Sequence, residues 1–333
     1  MIDLSPAPPP GVAENPSPHR AADVDCEFPV SGLTRFVNLL AVIIPFVGVL
    51  LAVWLLWGIA IDATHLLIAA VMYLITALGI TVGFHRLCTH HAFKAPGWVR
   101  YGLAAAGSMA AEGPVIEWCA EHRRHHQMSD TEADPHSPRA HKGGEWGTGI
   151  AATLRGAFHA HVGWLFARTR ADLSRYAKDL EQDRALSLAN AHFRWFVLVG
   201  LLLPGVLAGV MTWSWSGALL GVLWGGLVRM FLVHHVTWSV NSVCHLWGSR
   251  PFATGDQSRN NAVVGLLALG EGWHNNHHAF PTSARHGLRW WEIDVSYACI
   301  RLMELVGLAT HVRTPAPERV AAKRRRAGDT PPG

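Results

Sequence analysis

Nine histidines of this chain stand in four short clusters: His85-Arg-Leu-Cys-Thr-His90, His122-Arg-Arg-His125-His126, Asn241-Ser-Val-Cys-His245 and His274-Asn-Asn-His277-His278. Neutral imidazole is the common protein ligand of first-row transition metals, and nine are more than one ion can use. The sequence therefore asks for two metals. At about 100° per residue, His122, His125 and His126 share one helix face, as do His274, His277 and His278. Each HxxHH box can present three imidazoles together, and two such faces form a cage. Asn241 and His245 are four apart, again on one face. His85 and His90 are five apart, roughly 140° around and about 7.5 Å along a helix, an offset that suits ligands reaching different ions.

The remaining histidines carry less. His65, His159, His161, His192 and His311 stand alone and read as ordinary surface or core residues. A closed structural zinc site uses four ligands, mostly Cys and His, whereas this chain has no CxxC pair and a surplus of imidazoles, which speaks for an open, reactive site. Cys26, Cys88, Cys119, Cys244 and Cys299 lack paired spacing and fit a reducing compartment; those near the boxes read as small packing residues. Glu117, Glu121, Asp130, Glu271 and Asp294 flank the boxes. They are placed to accept the spare N–H of a ligating imidazole and fix its tautomer.

The elements that must hold these groups are apolar. Of 333 residues 50% are hydrophobic and 16% charged, with fifteen Trp, a composition that belongs in a membrane. Four hydrophobic runs, at about 36–59, 65–84, 195–213 and 217–240, are long enough to cross the bilayer. The first two are separated only by Ala60–Thr64 and the last two by Ser214-Trp215-Ser216, so the expected fold is all-α, with four transmembrane helices in two hairpins. Trp54, Trp57, Trp213 and Trp215 suit the interfaces. The segment Tyr101–Val115, broken by Gly107, Gly113 and Pro114, reads as buried or re-entrant rather than as a fifth span. An even span count leaves every His cluster on one side, in a helical domain that the Lys/Arg load of the loops assigns to the cytoplasm. Residues 1–33, rich in Pro and Ala, read as a disordered leader, 34–312 as the membrane domain, and 313–333 as a basic disordered tail. The formal charge of +4 comes largely from Lys323-Arg324-Arg325-Arg326, which suits anionic lipid better than nucleic acid.

Imidazole ligation suits iron, copper, zinc and nickel, so ligand type alone does not identify the metal. A pair of iron ions can reduce dioxygen and generate an oxidant for an unactivated C–H bond, while the protein orients the methylenes in an apolar channel. Between four membrane spans, a lipid chain is the natural substrate.

His85-Arg-Leu-Cys-Thr-His-His, Glu117-Trp-Cys-Ala-Glu-His-Arg-Arg-His-His, Asp130-Thr-Glu-Ala-Asp-Pro-His, Asn241-Ser-Val-Cys-His-Leu-Trp-Gly and Gly270-Glu-Gly-Trp-His-Asn-Asn-His-His-Ala-Phe-Pro closely resemble the membrane fatty-acid desaturases, nearest the stearoyl-CoA, delta-9 type in its bacterial form. The resemblance runs from about Gly58 to Trp291 in the family's order and spacing. It implies two iron ions, replaceable by zinc on purification. Their ligands would be His85, His90, His122, His125, His126, His245, His274, His277 and His278, with Asn241 acting through water. It implies an oxygen-dependent desaturase that puts a cis double bond into a saturated acyl chain, in a bacterial inner membrane with both termini cytoplasmic. Trp118, Thr237 and Trp238 would wall a kinked acyl tunnel, and Tyr73, twelve residues before His85, would limit chain length.

The chain departs from the family near the headgroup, with Ala120 in place of an Arg and Glu112-Gly113-Pro114 where a Gln is usual. Long-chain acyl-CoA is the expected substrate, with acyl carrier protein or glycerolipid forms as alternatives. A ferredoxin or ferredoxin-like reductase would supply electrons, since no donor domain is fused. The rival enzyme reading is a lipid or alkane hydroxylase with a similar di-iron site. The rival of another class is a divalent-metal transporter, disfavoured because the spans carry almost no charge besides Arg229.

Overall fold

The computed structural model describes residues 27–56, 63–141, 143–167 and 169–324. Most of the leader, Trp57, Cys26 and the link between the first two apolar runs lie outside them. Among the described residues four helices are long and apolar enough to cross a membrane: Gly32–Leu55, Ala63–Thr89, Phe193–Thr212 and Trp215–Leu246. The first turns large apolar side chains outward all round, including Phe36, Leu50 and Trp54, a surface that water does not tolerate and hydrocarbon does. Trp213 and Trp215 are strongly exposed, at the turn between the third and fourth helices. The fourth helix runs six residues past the expected end at 240, so Asn241 and His245 extend from the span as one rigid rod.

Small residues set the closest helix approach. Gly217, Gly221 and Gly225 recur every fourth residue along the fourth helix. A Cβ at Gly221 would lie 2.5 Å from both Ala208 Cβ and the Pro204 carbonyl oxygen of the third. Backbones thus pack directly, the usual device where the solvent offers no hydrophobic drive. Arg229, buried in the fourth helix, forms no ion pair with a carboxylate among the described residues. It donates from Nε to the Gly225 carbonyl, from Nη1 to Met109 and from Nη2 to Gly200.

With His85–His90 counted as the first box and the HxxHH stretches at 122–126 and 274–278 as the second and third, the apolar segment before the second box forms the helix Gly97–Ser108, which is too short to span and packs on the second span. That span ends in an unusual way: Gly79–Thr89 is wound as a π-helix. The Gly97–Ser108 helix is seated against it through Gly79, where an added Cβ would come within 2.1 Å of the Gly107 nitrogen. The second box lies on the helix Val115–Met128, started by Pro114, and the third on the six-residue helix His274–Ala279.

Two expectations about the ends differ from the structure. Glu27–Pro29, inside the expected leader, pairs antiparallel with Thr169–Ala171. Within the expected tail, Pro317–Lys323 forms a helix whose Lys323 Nζ donates to the Ala279 carbonyl at 2.7 Å, just behind the third box. Val320 packs there among Phe252, Ala279 and Phe280, an apolar contact the basic composition concealed. A second small ladder joins Ala140–His141 to Gly144–Glu145, so the fold is mostly rather than wholly helical.

Candidate metal centre and its cavity

The four clusters converge. Their ring nitrogens form two groups close enough to hold one ion each: His85, His90, His122, His126 and His277 in one, and His125, His245, His274 and His278 in the other. All nine predicted imidazoles are used. Each HxxHH box is divided between the groups, two residues to one and one to the other, so a box does not present its three imidazoles to a single point. His85 and His90 fall in the same group, against the expectation from α-helical geometry. The π-winding is the reason: its hydrogen bonds join residues five apart, seen in the His90 N–H to His85 carbonyl bond of 3.2 Å, so the two rings meet edge to face with centroids 4.8 Å apart instead of diverging.

The protonation pattern favours cations. The Nδ1 of His85 lies 2.6 Å from Glu271, that of His125 3.0 Å from Asp134, that of His245 3.0 Å from Asp130 and that of His278 2.7 Å from Asp256. Each carboxylate accepts a hydrogen bond from Nδ1–H, which holds the proton there and leaves the Nε2 lone pair facing inward. Nε2 atoms meet at 3.1 Å between His85 and His277 and at 3.0 Å between His245 and His274. Nε2 of His90, His125 and His278 are enclosed without a hydrogen-bond partner. Lone pairs crowded like this repel unless a positive ion sits among them, so the residues fit a pair of metal ions. Burial, reinforced by the neighbouring imidazoles, holds His90, His122, His126, His274 and His277 well below the ordinary histidine range, and His278 at about 4. Neutral imidazole is the form that ligates.

Of the five carboxylates expected to orient imidazoles, Asp130 and Glu271 do so. Glu117 instead accepts weakly from Asn190, Glu121 accepts the Ala171 backbone N–H, and Asp294 pairs with Arg86 and caps the helix Val295–Leu305. Glu117 and Glu121 lie on the same helix as the box but are rotated away from it toward 169–191. Asp134 and Asp256 take the missing roles. Asp134 belongs to a motif visible in the sequence; Asp256 lies in an ordinary polar loop and left no signal. His286, also unanticipated, is fully buried, with its ring 4.4 Å from His277 and its Nδ1 3.2 Å from Glu271. The solitary histidines stay out of both groups: His65 bonds the Gly217 carbonyl, and His161 pairs with His235 and Ser242. Buried Cys88, Cys119 and Cys244 are packing residues outside the groups.

A cavity of about 470 Å³ opens from His85, His122 and His274 and runs between the spans. Its size lies in the range of small-molecule sites, about 300–1,000 Å³. Trp118, Thr237, Trp238, Tyr73 and Asn241 all line it. Trp118 stacks on His122 at 5.1 Å, and the Tyr73 hydroxyl donates to the Leu267 carbonyl at 2.7 Å. The rest of the lining joins aliphatic residues, Val37, Ala41, Ala77, Ile80, Val233 and Val240 among them, to Glu112, Glu117, Glu121, Arg170 and Glu271.

A profile described as fatty acid desaturase matches residues 62–295. The chain is 42% identical to a hex-5-enoyl-[acyl-carrier protein] acetylenase of Moorena producens (strain JHB) over 295 residues, 89% of this chain and 91% of that protein. It is 41% identical to an sn-1 stearoyl-lipid 9-desaturase of Anabaena variabilis over 249 residues, 74% of this chain and 83% of the relative. Against an icosanoyl-CoA 5-desaturase of Limnanthes douglasii the identity is 42% over 245 residues, 72% and 62% of the two chains.

Proposed function

The chain belongs to the fatty acid desaturase family, and from that premise we propose that it removes two hydrogens from a saturated long-chain acyl group, at the delta-9 position, to leave a cis double bond. The observation that supports this best is the apolar cavity ending on two groups of inward-facing imidazoles. The five-histidine and four-histidine groups would each hold one iron, with Asn241 near the second through water. An iron pair held there supplies, with dioxygen, the oxidising power for a methylene C–H bond. The overall balance is one acyl chain, one dioxygen, two electrons and two protons giving the alkene and two waters.

The chain's own residues do the rest. Glu271, Asp130, Asp134 and Asp256 keep the imidazoles oriented. Trp118, Thr237 and Trp238 bend and confine the acyl chain beside His122, and Tyr73 closes its far end. The aliphatic lining excludes water from the methylenes. The electron donor would be a ferredoxin or a ferredoxin-like reductase acting from outside. In this reading the spans form two hairpins in a bacterial inner membrane, with the metal centre and both termini on the cytoplasmic side.

Acyl-CoA is the proposed form of the substrate; the named relatives include proteins of acyl-carrier-protein, lipid and CoA type. Expression in a host unable to make unsaturated fatty acids, followed by gas chromatography–mass spectrometry of its lipids, tests the proposal. A new cis-9 monoene supports it. A hydroxylated chain, or an active and well-expressed protein that changes no fatty acid, contradicts it.

A further inference from the structure

Of the carboxyl groups that line the acyl cavity, Glu121 pairs with Arg170, Glu271 with His85 and Arg86, and Glu117 accepts from Asn190, whereas Glu112 has no such tie outside the cavity wall among the described residues. It sits on the loop between Ser108 and Val115, beside Tyr73, Trp118 and Thr237. Its Oε2 accepts the indole N–H of Trp118 at 3.3 Å, while Oε1 is enclosed and has no hydrogen-bond partner among the described residues. The loop is held firmly. Arg229 Nη1 donates to the Met109 carbonyl, His234 Nε2 bonds the Ala110 carbonyl at 2.7 Å, and Ala111 is forced to φ 63°. Glu112 is thus presented to the cavity by the backbone rather than drifting into it.

We propose that Glu112 acts on the acyl chain through Trp118, fixing the indole against His122, and that only its uncharged carboxyl leaves the cavity fit for hydrocarbon. The inference rests on the acyl-chain reading of this cavity. Trp118 is the wall residue in contact with a metal-group imidazole, stacked at 5.1 Å and within 18° of parallel. Whatever holds the indole therefore sets which methylenes pass the metal centre. A carboxylate beside apolar chain, with no cation to pair it, is costly to desolvate. Burial pushes this carboxyl up to about 8, opposed only in part by hydrogen bonds from Thr237 and Trp118. Its nearest polar neighbours are Tyr73 from the second span, Trp118 from the box helix and Thr237 from the fourth span, and the same cavity is lined by Asn38, Glu117, Glu121, His136, Arg170, His234 and Glu271. The arginine in the described lining, Arg170, is taken up by Glu121 and by the Trp164 and Leu165 carbonyls.

The test is binding of methyl stearate, which has no titratable group, to the full-length metal-loaded protein without reductant, so that nothing turns over. For a carboxyl near 8, affinity falls about tenfold between pH 7 and pH 9 as the competent fraction falls. Glu112→Gln, which keeps an acceptor for the indole and cannot ionise, should bind equally at both pH values. Wild-type affinity unchanged across that range overturns the inference, and so does the same loss in Glu112→Gln. Absence of methyl stearate binding at pH 7 overturns the acyl-chain reading and this inference with it. The positioning half is read separately from product. Glu112→Ala should spread the double bond over neighbouring positions, whereas Glu112→Gln keeps one product; a single unchanged product from Glu112→Ala refutes it. If Glu112→Gln does not fold, the wild-type pH titration alone still decides.

Discussion

An imidazole becomes a reliable ligand when something fixes its tautomer, and four of the nine here are fixed by carboxylates, two buried (Asp134 and Glu271) and two half-buried (Asp130 and Asp256). Asp256 was invisible in the sequence, since nothing about a loop Asp twenty-two residues before His278 marks it, yet it lies 2.7 Å from that ring. Asp256→Asn should therefore lower metal retention about 10- to 100-fold, the usual cost of losing an orienting carboxylate; metal content after a graded chelator challenge measures it. Single Ala replacement of His122, His125, His274 or His278 should abolish turnover and leave a membrane-inserted protein, while His159→Ala, outside both groups, should be mild. Acid acts on three of these, His122, His274 and His278. Their protonation is suppressed in the fold and free in the unfolded chain, so the contribution to stability is complete above about pH 6.5, the unperturbed histidine value, and is lost as pH falls toward the value of about 4 held by His278. Thermal unfolding midpoints should drop below pH 6.5 and stay level above it up to neutrality.

Among the elements, the apolar spans were readable from hydropathy, and both HxxHH boxes were expected to be helical. The π-helix was not readable. Its sequence, Gly79 to Thr89, has no composition that separates it from an α-helix, and it exists because tertiary packing of the Gly97–Ser108 helix rewards the wider turn. This is why the chain's spacing misassigned His85 and His90 to different ions. Gly79→Ala inserts a Cβ where the Gly107 backbone already lies, so the two helices must separate. Destabilisation of about 1–3 kcal/mol is expected from such overpacking, visible as a lowered thermal midpoint. Because His85 and His90 ride on that helix, metal retention should fall with it; an unchanged midpoint and metal content would show that the contact is dispensable. The C-terminal helix illustrates the opposite failure: a basic composition suggested a free tail, while Val320 and Lys323 dock against Phe280 and Ala279.

For the whole molecule, the cavity joins what the sequence could only place in order along the chain. Residues from the second span, the box helices and the fourth span, separated by up to some two hundred positions, line one apolar space that starts at the metal groups. Tyr73 lies on that lining with its hydroxyl held by Leu267, a carbonyl of the segment leading to the third box. Opening this end with Tyr73→Ala should admit chains several carbons longer without moving the double bond counted from the carboxyl end, because the metal groups and headgroup position are untouched. Competition among saturated substrates of graded length reads this out, and an unchanged length profile in an active variant removes Tyr73 from the site. The central claim, that nine imidazoles serve two irons acting together on one chain, is tested most directly by iron analysis of the purified full-length protein alongside its specific activity. Activity should rise with iron content and reach its maximum at about two ions per chain, with zinc filling the same groups inactively. Maximal activity at one iron per chain would contradict the account.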